Sequence, residues 1–253
     1  KNIESEKNEY KTINEVPKET WAKVARMKIL FGHQSVGQNI LDGISDIMKE
    51  YPTIKLNIVE TRDVSNYPDG VFAHFRVGEN LKPLSKIEDF AATVEKRENE
   101  NLDMAFLKLC YVDLDRKANA REIFENYKNT AAQMEKKVKL LHFTAPLTTM
   151  ETSWKTRLKS FLGKKDIWEY ADNIVRNEYN RMILKEYKKE KIVDIARIES
   201  TYDDGKREAF KTQNETYYSL IKNYTYDQGH LNEIGRKKVA EALLLSIANS
   251  IEN

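Results

Sequence analysis

Short apolar segments alternate with helical ones along most of this chain, and that alternation limits the folds open to it. Each of five segments is rich in apolar or β-branched residues, as buried strands are, and amphipathic stretches separate most of them. Strands that alternate with helices form parallel sheets covered by helices on both faces. We therefore predict a single α/β domain with a central parallel five-stranded sheet. The predicted strands are residues 27–31, 55–61, 103–112, 138–147 and 192–198.

Two connections between the predicted strands are long. Residues 63–82 contain a proline and two glycines and are predicted to form a loop, which is a frequent location of function. Residues 148–190 are charged and mostly helical in pattern, and we predict a helical insertion over the sheet or near its edge. Residues 25–253 would then form the domain, after a polar N-terminal extension at residues 1–24.

The composition argues against several kinds of protein. The 253 residues include 42 basic and 40 acidic side chains, a net charge of +2, and no dense basic patch with interleaved aromatics indicates nucleic acid. No apolar run approaches the length of a membrane span. The single cysteine, Cys110, allows no intrachain disulfide, and the four histidines form no metal-binding motif. We predict no metal and no cofactor.

The compartment and the oligomeric state stay open at this level. The chain starts with a polar stretch and without methionine. An exported protein that has lost its leader, whether periplasmic, cell-surface or secreted, would start this way, and so would a cytoplasmic protein numbered from within a longer chain. Neither the composition nor the pattern indicates how many copies assemble.

The segment GHQSVG, residues 32–37, follows the first predicted strand directly and leads into a helical pattern. Ser35 would therefore lie near a helix N-terminus, where unpaired backbone N–H groups stabilise negative charge. A serine oxygen attacking a carbonyl there would find donors for the oxyanion that forms. Gly32 and Gly37 permit a tight turn. The same position equally suits a serine that caps the helix, and this segment alone leaves both interpretations open.

A second polar cluster, Asp227 and His230 in the sequence DQGHLNEIG, comes just before the predicted last helix, residues 231–251. A nucleophilic serine needs a base, and that base needs an acceptor that orients it. Asp227 could accept a hydrogen bond from Nδ1–H of His230 and leave Nε2 facing the serine. Alone the pair is weak evidence, because a turn-forming Asp before an ordinary His near a helix start gives the same pattern.

Taken together, the two segments resemble the SGNH (GDSL-type) hydrolases, in a bacterial branch whose first block reads GHQSVG. The stretches FRVGEN, PLSKIEDF, FLKLCYVDL and HFTAPLTT are also similar to that branch, and the resemblance spans roughly residues 27–249. It implies a flavodoxin-like α/β/α sandwich and hydrolysis of esters, often acetyl groups on sugars or acyl chains on lipids. Ser35 would be the nucleophile, His230 the base and Asp227 the residue that orients His230. Such a triad needs no cofactor.

One departure from the family concerns the oxyanion. The block that usually reads Gly-x-Asn-Asp corresponds here to residues 110–113, CYVD, and Val112 has no side-chain donor. Loss of such a donor costs about 3–4 kcal/mol of transition-state stabilisation. The backbone N–H groups of Ser35 and of Gly78, matched to the family's second-block glycine, would remain as donors. The candidates to replace the missing amide are His33, Gln34 and Asn80.

The remaining polar residues have two interpretations each. His33 could touch substrate, or hold the turn through a backbone carbonyl. His74 and Arg76, on the predicted loop, could contact an acidic or hydroxylated substrate, or remain solvated. His142 is predicted to be a core histidine, and Cys110 is predicted to be a buried apolar residue rather than a nucleophile.

The sequence therefore predicts a serine ester hydrolase that acts through Ser35, His230 and Asp227. The polar insertion and the lack of an apolar lid favour a polar substrate, a small-molecule or glycan ester such as an acylated carbohydrate. Transfer of the acyl group to a sugar hydroxyl would use the same acyl-enzyme. A non-catalytic binding protein on the same fold is the alternative that Val112 raises.

Overall fold

Five parallel strands lie side by side at the centre of the protein, in the order β2-β3-β1-β4-β5. The computed structural model describes residues 9–150, 168–212 and 214–252. The five strands are β1 (Lys28–His33), β2 (Ile58–Glu60), β3 (Val71–Arg76), β4 (Met104–Leu107) and β5 (Lys139–Leu140). One residue after β5, β6 (His142–Phe143) pairs in parallel with β7 (Ile192–Val193) and forms a separate two-stranded sheet.

Helices cover both faces of this sheet, and seven of them are α-helices within the described ranges. They are α1 (Lys18–Arg26), α2 (Ser35–Glu50), α3 (Pro83–Val94), α4 (Ala120–Met134), α5 (Trp168–Glu186), α6 (Ile195–Ser200) and α7 (Glu233–Glu252). An antiparallel hairpin, β8 (Ala209–Thr212) and β9 (Glu215–Tyr218), forms a separate small sheet. None of the helices in those ranges is long and apolar enough to cross a membrane.

The sheet separates two apolar layers, because successive side chains of a strand point to opposite faces. Ile29 and Phe31 of β1 point to one layer, and Leu30 between them points to the other. The first layer joins the sheet to Ile40, Ile44 and Ile47 of α2 and to Val239, Leu243 and Ile247 of α7. The second joins it to Ile87 and Phe90 of α3 and to Ile123 and Phe124 of α4. The predicted α/β/α arrangement around a parallel five-stranded sheet is therefore confirmed.

Strand β3 lies inside residues 63–82, the segment predicted to be a loop, so that prediction is wrong. Residues 71–75 are buried, and β3 pairs with β1 on one side and with β2 on the other. The sequence pattern did not indicate this strand, because the strand is short and contains the polar His74. Gly70 and Gly78 also lie close to its ends, and glycines are typical of turns and loops.

Four of the predicted strands are shorter in the structure. Residues 55–61 contain only β2, and residues 138–147 contain two short strands, β5 and β6. The other two lead into a helical turn. The strand predicted at residues 192–198 ends at Val193, because the Asp194 carboxylate accepts a hydrogen bond from Arg197 N at 3.1 Å and caps α6. The strand predicted at residues 103–112 ends at Leu107, and a 3-10 helix follows at Tyr111–Leu114. Both errors arise because apolar character alone does not separate a strand from the helical turn after it.

Part of the predicted polar extension packs into the core. Trp21 and Val24 of α1 are buried, and Tyr10 N donates a hydrogen bond to Asn249 Oδ1 of α7 at 2.8 Å. Helix α5 lies within the predicted insertion at residues 148–190, of which residues 151–167 lie outside the described residues. The domain limits themselves stay predictions.

Candidate active site

The segment GHQSVG crosses from strand to helix with a single residue between them. β1 continues through His33, Gln34 takes an extended conformation, and α2 begins at Ser35. Gln34 is the N-cap of α2, so Ser35 is the first helical residue and does not cap the helix. The first N–H groups of a helix have no partner within it, and Ser35 carries the first of them. This edge of the sheet is where ligands of parallel α/β proteins bind.

The two glycines of this segment serve close packing rather than the tight turn predicted for them. A Cβ atom on Gly37 would lie 2.2 Å from the Cβ of His33, and one on Gly32 would lie 2.7 Å from Cδ2 of Phe90. Both distances are far below van der Waals contact. Glycine at these positions therefore lets α2 and α3 approach β1, which sets the direction from which Ser35 leaves the sheet.

Ser35, His230 and Asp227 form a continuous hydrogen-bonded chain. His230 Nε2 lies 2.8 Å from Ser35 Oγ, and His230 Nδ1 lies 2.6 Å from Asp227 Oδ2. Because a carboxylate only accepts, Nδ1 carries the proton in the neutral ring, and Nε2 is left to accept from the serine hydroxyl. The structure brings these three predicted residues together across 195 positions of sequence.

Backbone groups hold the Asp227 carboxylate in its ionised form. Oδ1 of Asp227 accepts hydrogen bonds from His230 N at 2.8 Å and from Gly229 N at 3.2 Å. Partial burial acts to raise the pKa of Asp227, but the hydrogen bonds from His230 and Gly229 outweigh it and hold that pKa below its ordinary value. An ionised acceptor keeps the imidazole in the tautomer that the serine requires.

The His230 turn is fixed from three sides. Asn232 Oδ1 accepts hydrogen bonds from Ile234 N and Gly235 N, both at 3.1 Å, and so caps α7. The ring of Tyr226 stacks on the His230 ring at 5.9 Å, and the ring of Tyr111 meets it edge-on at 5.7 Å. Neither tyrosine carries a signal in the sequence that would mark it as part of a site.

His33 has no nitrogen left to stabilise an oxyanion. It is buried, its Nδ1 donates to Gln34 O at 2.8 Å, and its Nε2 lies 3.0 Å from His74 Nδ1. Burial lowers the pKa of His33 to about 3, and burial likewise lowers the pKa of His74. His33 therefore holds the turn, the structural alternative considered for it, and neither of its ring nitrogens is free to donate to an oxyanion in this structure.

His74 is a strand residue rather than a loop residue. It lies in β3, is buried, and its Nδ1 is engaged by His33. The contact of its side chain with substrate stays a prediction. Arg76 ends the same strand with an exposed side chain, and its contact with substrate stays a prediction. His142 is a core residue as predicted, and its Nδ1 lies 2.9 Å from Tyr127 Oη.

Gln34 and Gly78 are likewise engaged elsewhere. Gln34 Nε2 donates to Val77 O at 2.7 Å and to Gly78 O at 3.2 Å, which occupies both hydrogens of the amide. Gly78 N donates to Asp89 Oδ2 at 2.8 Å. The side-chain amide of Gln34 and the backbone N–H of Gly78 are therefore not free to donate to an oxyanion.

Asn80 is the third side chain, after His33 and Gln34, that was a candidate to replace the missing oxyanion amide. Its Oδ1 accepts a hydrogen bond from Lys86 Nζ at 2.8 Å. Because an ammonium group only donates, the amide must turn its oxygen toward Lys86 and its Nδ2 away from it. The side chain is exposed, and within the described part of the chain Nδ2 donates to nothing.

A buried ion pair joins the loop of Asn80 to the turn beside Ser35. Lys86 Nζ lies 2.6 Å from Asp113 Oδ2, and both side chains are fully buried. Asp113 also accepts from Leu81 N at 3.1 Å and from Cys110 N at 2.7 Å, and Cys110 Sγ lies 4.0 Å from Ser35 Oγ. Sequence analysis did not single out this pair. Its signal was a lysine four residues before Phe90 on the apolar stripe of α3.

A cavity of about 340 Å³ opens beside the His230 turn. Its wall combines carboxylates, a guanidinium, an aromatic ring and two apolar side chains. It includes the turn at residues 227–229 together with Leu81, Tyr111, Asp115, Asp172 and Arg176. Val112, which the sequence resemblance matches to the oxyanion asparagine of the SGNH hydrolases, also lies in this wall. Within the described residues, no group of His, Cys, Asp and Glu side chains could hold a metal ion.

A second buried acidic side chain, Glu199, lies close to the buried Lys108. Glu199 of α6 is 1% exposed and accepts one hydrogen bond from Leu147 N at 2.9 Å. Burial raises the pKa of Glu199 to about 8, and burial lowers the pKa of the nearby, fully buried Lys108. Glu199 is therefore largely protonated at neutral pH.

This raised pKa predicts a loss of stability with rising pH. Unfolded Glu titrates near 4.5, so from pH 4.5 to about 8 unfolding releases a proton that the folded state retains. The contribution is complete below pH 4.5 and is lost as the pH rises to about 8. In urea titrations at pH 5, 7 and 9, Glu199→Gln should therefore gain stability over wild type, on the order of 1 kcal/mol per pH unit. Parallel curves would contradict this, and Glu98→Gln on the surface is the control.

Comparison with known proteins gives a fold-level likeness only. No protein-family model matches the chain, and no curated protein matches it. Among solved structures it is similar to a Streptococcus pneumonia protein provisionally described as a platelet activating factor, at 13% identity over 90% of this chain and 89% of the other, with a TM-score of 0.48.

Two other solved structures show the same weak likeness. A member of the lipolytic G-D-S-L family from Veillonella parvula is 13% identical over 86% of this chain and 96% of its own, with a TM-score of 0.46. The OSK domain of Drosophila Oskar is 11% identical over 91% of this chain and 92% of its own, with a TM-score of 0.42. At such identities and TM-scores, these likenesses carry no information on what this chain does.

Proposed function

We propose that this protein is a serine ester hydrolase with Ser35 as nucleophile. The observation that carries the proposal is the hydrogen-bonded chain from Ser35 Oγ through both nitrogens of His230 to Asp227, at 2.8 and 2.6 Å. Nucleophile and base within hydrogen-bond reach, with a third group orienting the base, is the arrangement that acyl transfer to serine requires. A binding protein without catalysis has no need of it.

The reaction follows from the proton positions in this chain. His230 Nε2 takes the proton of Ser35 as Oγ attacks the acyl carbonyl, and the imidazolium that forms is stabilised by the Asp227 carboxylate. His230 then gives that proton to the leaving alcohol, and an acyl-enzyme remains on Ser35. Water, activated by the same histidine, releases the acid. A sugar hydroxyl in place of that water would make the protein an acyltransferase with the same residues.

Asn80 takes the place of the missing family asparagine in this proposal. Its Nδ2 is the side-chain donor left over after His33 and Gln34 are engaged elsewhere. Gly78, whose carbonyl is bound by Gln34 Nε2, brings the loop of Asn80 next to Ser35. The oxyanion would then be bound by Nδ2 of Asn80 and by the backbone N–H of Ser35, the first of α2.

Replacing Asn80 with aspartate tests this donor directly. Aspartate keeps an oxygen for Lys86 but has no N–H to donate and adds negative charge near the oxyanion. We expect kcat to fall by about 10²–10³-fold with little change in KM, because the donor acts in the transition state. Ester hydrolysis by Asn80→Asp, Asn80→Ala and the surface control Asn101→Ala measures this. An unchanged kcat in Asn80→Asp would exclude Asn80 from the oxyanion site.

The substrate we propose is polar, with an acylated carbohydrate as the leading case. The support is the composition of the cavity beside His230, whose wall is mostly polar and charged. A pocket for a long acyl chain is lined predominantly by hydrophobic side chains.

The test of the proposed function is esterase activity together with active-site labelling. Wild type should hydrolyse p-nitrophenyl acetate and acetylated glycans, and an organophosphonate probe should label it once per chain. Acid released without transfer to added sugar supports hydrolysis, whereas an acylated sugar product supports transfer. A protein that is neither labelled by the probe nor active on any short-chain ester would contradict both ester hydrolysis and acyl transfer.

A further inference from the structure

The cavity beside the His230 turn contains an unused hydrogen-bond donor. Arg176 of α5 lines this cavity and is only 3% exposed. Nε donates to Tyr111 O at 2.9 Å, and Nη1 donates to Thr148 Oγ1 at 2.7 Å and to Asn173 Oδ1 at 2.9 Å. Within the described residues nothing accepts from Nη2. A buried guanidinium fixed through two of its nitrogens and open at the third is a preorganised donor, since unpaired buried groups are rare.

Asp115 supplies the complementary acceptor. Its side chain lines the same cavity and is half-buried. One carboxylate oxygen accepts from Lys117 N at 2.9 Å, and in the part of the chain that the structure describes the other has no partner. The Arg176 guanidinium lies 5.6 Å from the centre of the Tyr111 ring, and that ring meets the His230 ring edge-on at 5.7 Å. Burial raises the pKa of the Tyr111 hydroxyl to about 12, so the hydroxyl stays a neutral donor.

The charges around the cavity disfavour an anionic ligand. Asp115, Asp172 and Asp227 all line it, against the single guanidinium of Arg176. Asp172 is already bound by Arg116 Nε at 2.9 Å, and Asp227 by the His230 turn. A carboxylate or phosphate entering here would meet these fixed negative charges at close range.

The position of the cavity indicates which part of an ester it would hold. Residues 227–229 form one side of it, in the same turn as His230. In the proposed function His230 passes its proton to the leaving alcohol, so that alcohol must lie on the His230 side of Ser35. The cavity is therefore on the side of the alcohol rather than of the acyl group.

We infer that this cavity is a subsite for an uncharged, polyhydroxylated alcohol, a sugar ring, with Arg176 and Asp115 as its recognition residues. Arg176 Nη2 donates to a sugar oxygen, and Asp115 accepts from a sugar hydroxyl. An alkyl group would leave both groups unpaired, and an ammonium group would leave Arg176 unpaired, whereas a pair of hydroxyls matches both. This assignment rests on the proposed function, because the ester links the sugar to Ser35.

Binding can be measured without turnover in the Ser35→Ala protein. The probes are a mono-O-acetylated methyl glucoside, an acetylated methyl glucuronate with the same ring, and ethyl acetate, each titrated by saturation-transfer NMR. The acetylated glucoside should bind, with affinity at least tenfold above that of the other two. Adding Asp115→Asn or Arg176→Lys to Ser35→Ala should lower its affinity at least tenfold. Asp69→Asn, on an exposed turn at the opposite end of β3, is the matched charge control.

Turnover gives the second arm of the test. In otherwise wild-type protein, Asp115→Asn and Arg176→Lys should lower the ratio of kcat/KM for the acetylated glucoside to that for p-nitrophenyl acetate at least tenfold. Arg176 also holds three neighbours, so thermal melting is recorded for each variant, and Asp115→Asn serves as the variant without that role. An unchanged ratio in Asp115→Asn, or equal binding of glucoside and ethyl acetate, overturns the sugar subsite.

The two proposals fail in different ways. If wild type hydrolyses p-nitrophenyl acetate but shows no preference for the sugar ester, the subsite is wrong and the esterase function stands. If the Ser35→Ala protein binds the acetylated glucoside through Asp115 and Arg176 but wild type turns over no ester, the subsite stands and the esterase function is wrong.

Discussion

Replacing Ser35 with alanine should abolish ester hydrolysis, with a fall in kcat of at least about 10⁴-fold. The change removes the Oγ that lies 2.8 Å from His230 Nε2 and leaves the oxyanion donors and the cavity in place. KM should change little, because the lost group acts on the reacting carbonyl rather than on substrate binding. Steady-state hydrolysis of p-nitrophenyl acetate and labelling by an organophosphonate probe measure the two consequences, and both signals should vanish.

A matched control lies on the same helix. Ser45 of α2 donates its hydroxyl to Leu41 O at 3.1 Å, away from the site, so Ser45→Ala should keep the activity of wild type. His230→Gln and Asp227→Asn should each cause a comparable loss, and combining either with Ser35→Ala should add little, because the three residues act as a unit. Phosphonate labelling that persists in Ser35→Ala would place the nucleophile elsewhere, with Cys110 the nearest thiol at 4.0 Å.

Replacing Lys86 with methionine should have the largest effect on stability. The change leaves the Asp113 carboxylate buried without its ammonium partner, which typically costs 3–5 kcal/mol when one partner of a buried pair is removed. It also removes the group that holds Oδ1 of Asn80, so kcat should fall together with the free energy of unfolding. Urea denaturation and esterase kinetics on the same preparation measure both effects.

A double variant separates the two consequences of the Lys86 change. Lys86→Met with Asp113→Asn removes both charges, so much of the lost stability should return. Leu81 N and Cys110 N donate to different oxygens of Asp113, and the amide keeps an acceptor for only one of them, so the recovery should be incomplete. The kcat should stay low, because nothing then orients Asn80. Recovery of full activity in the double variant would show that Lys86 only maintains the fold. Lys82→Met, which breaks a solvent-exposed pair with Glu79, is the control and should change stability little.

Local pattern was enough to predict the fold class and the residues of the proposed triad. Alternating strands and helices determine the α/β class, because each pattern can bury its apolar face only against the other kind of element. GHQSVG and DQGHLNEIG each carry their signal within a few residues, and the carboxyl ends of parallel strands bring such segments to one edge. Ser35 and His230 could therefore be paired although 195 positions separate them.

Tertiary structure alone decided which donors remain available. His33, Gln34 and Gly78 all looked free in the sequence, and each is engaged by a partner far along the chain: His74, the carbonyl of Val77 and Asp89. The open nitrogen of Arg176 had no signal in the sequence, and the position of Lys86 on the apolar stripe of α3 did not identify Asp113 as its partner. Residue type and spacing show what a side chain can donate or accept. Whether that capacity is already used depends on neighbours that only the packed chain brings within 3 Å.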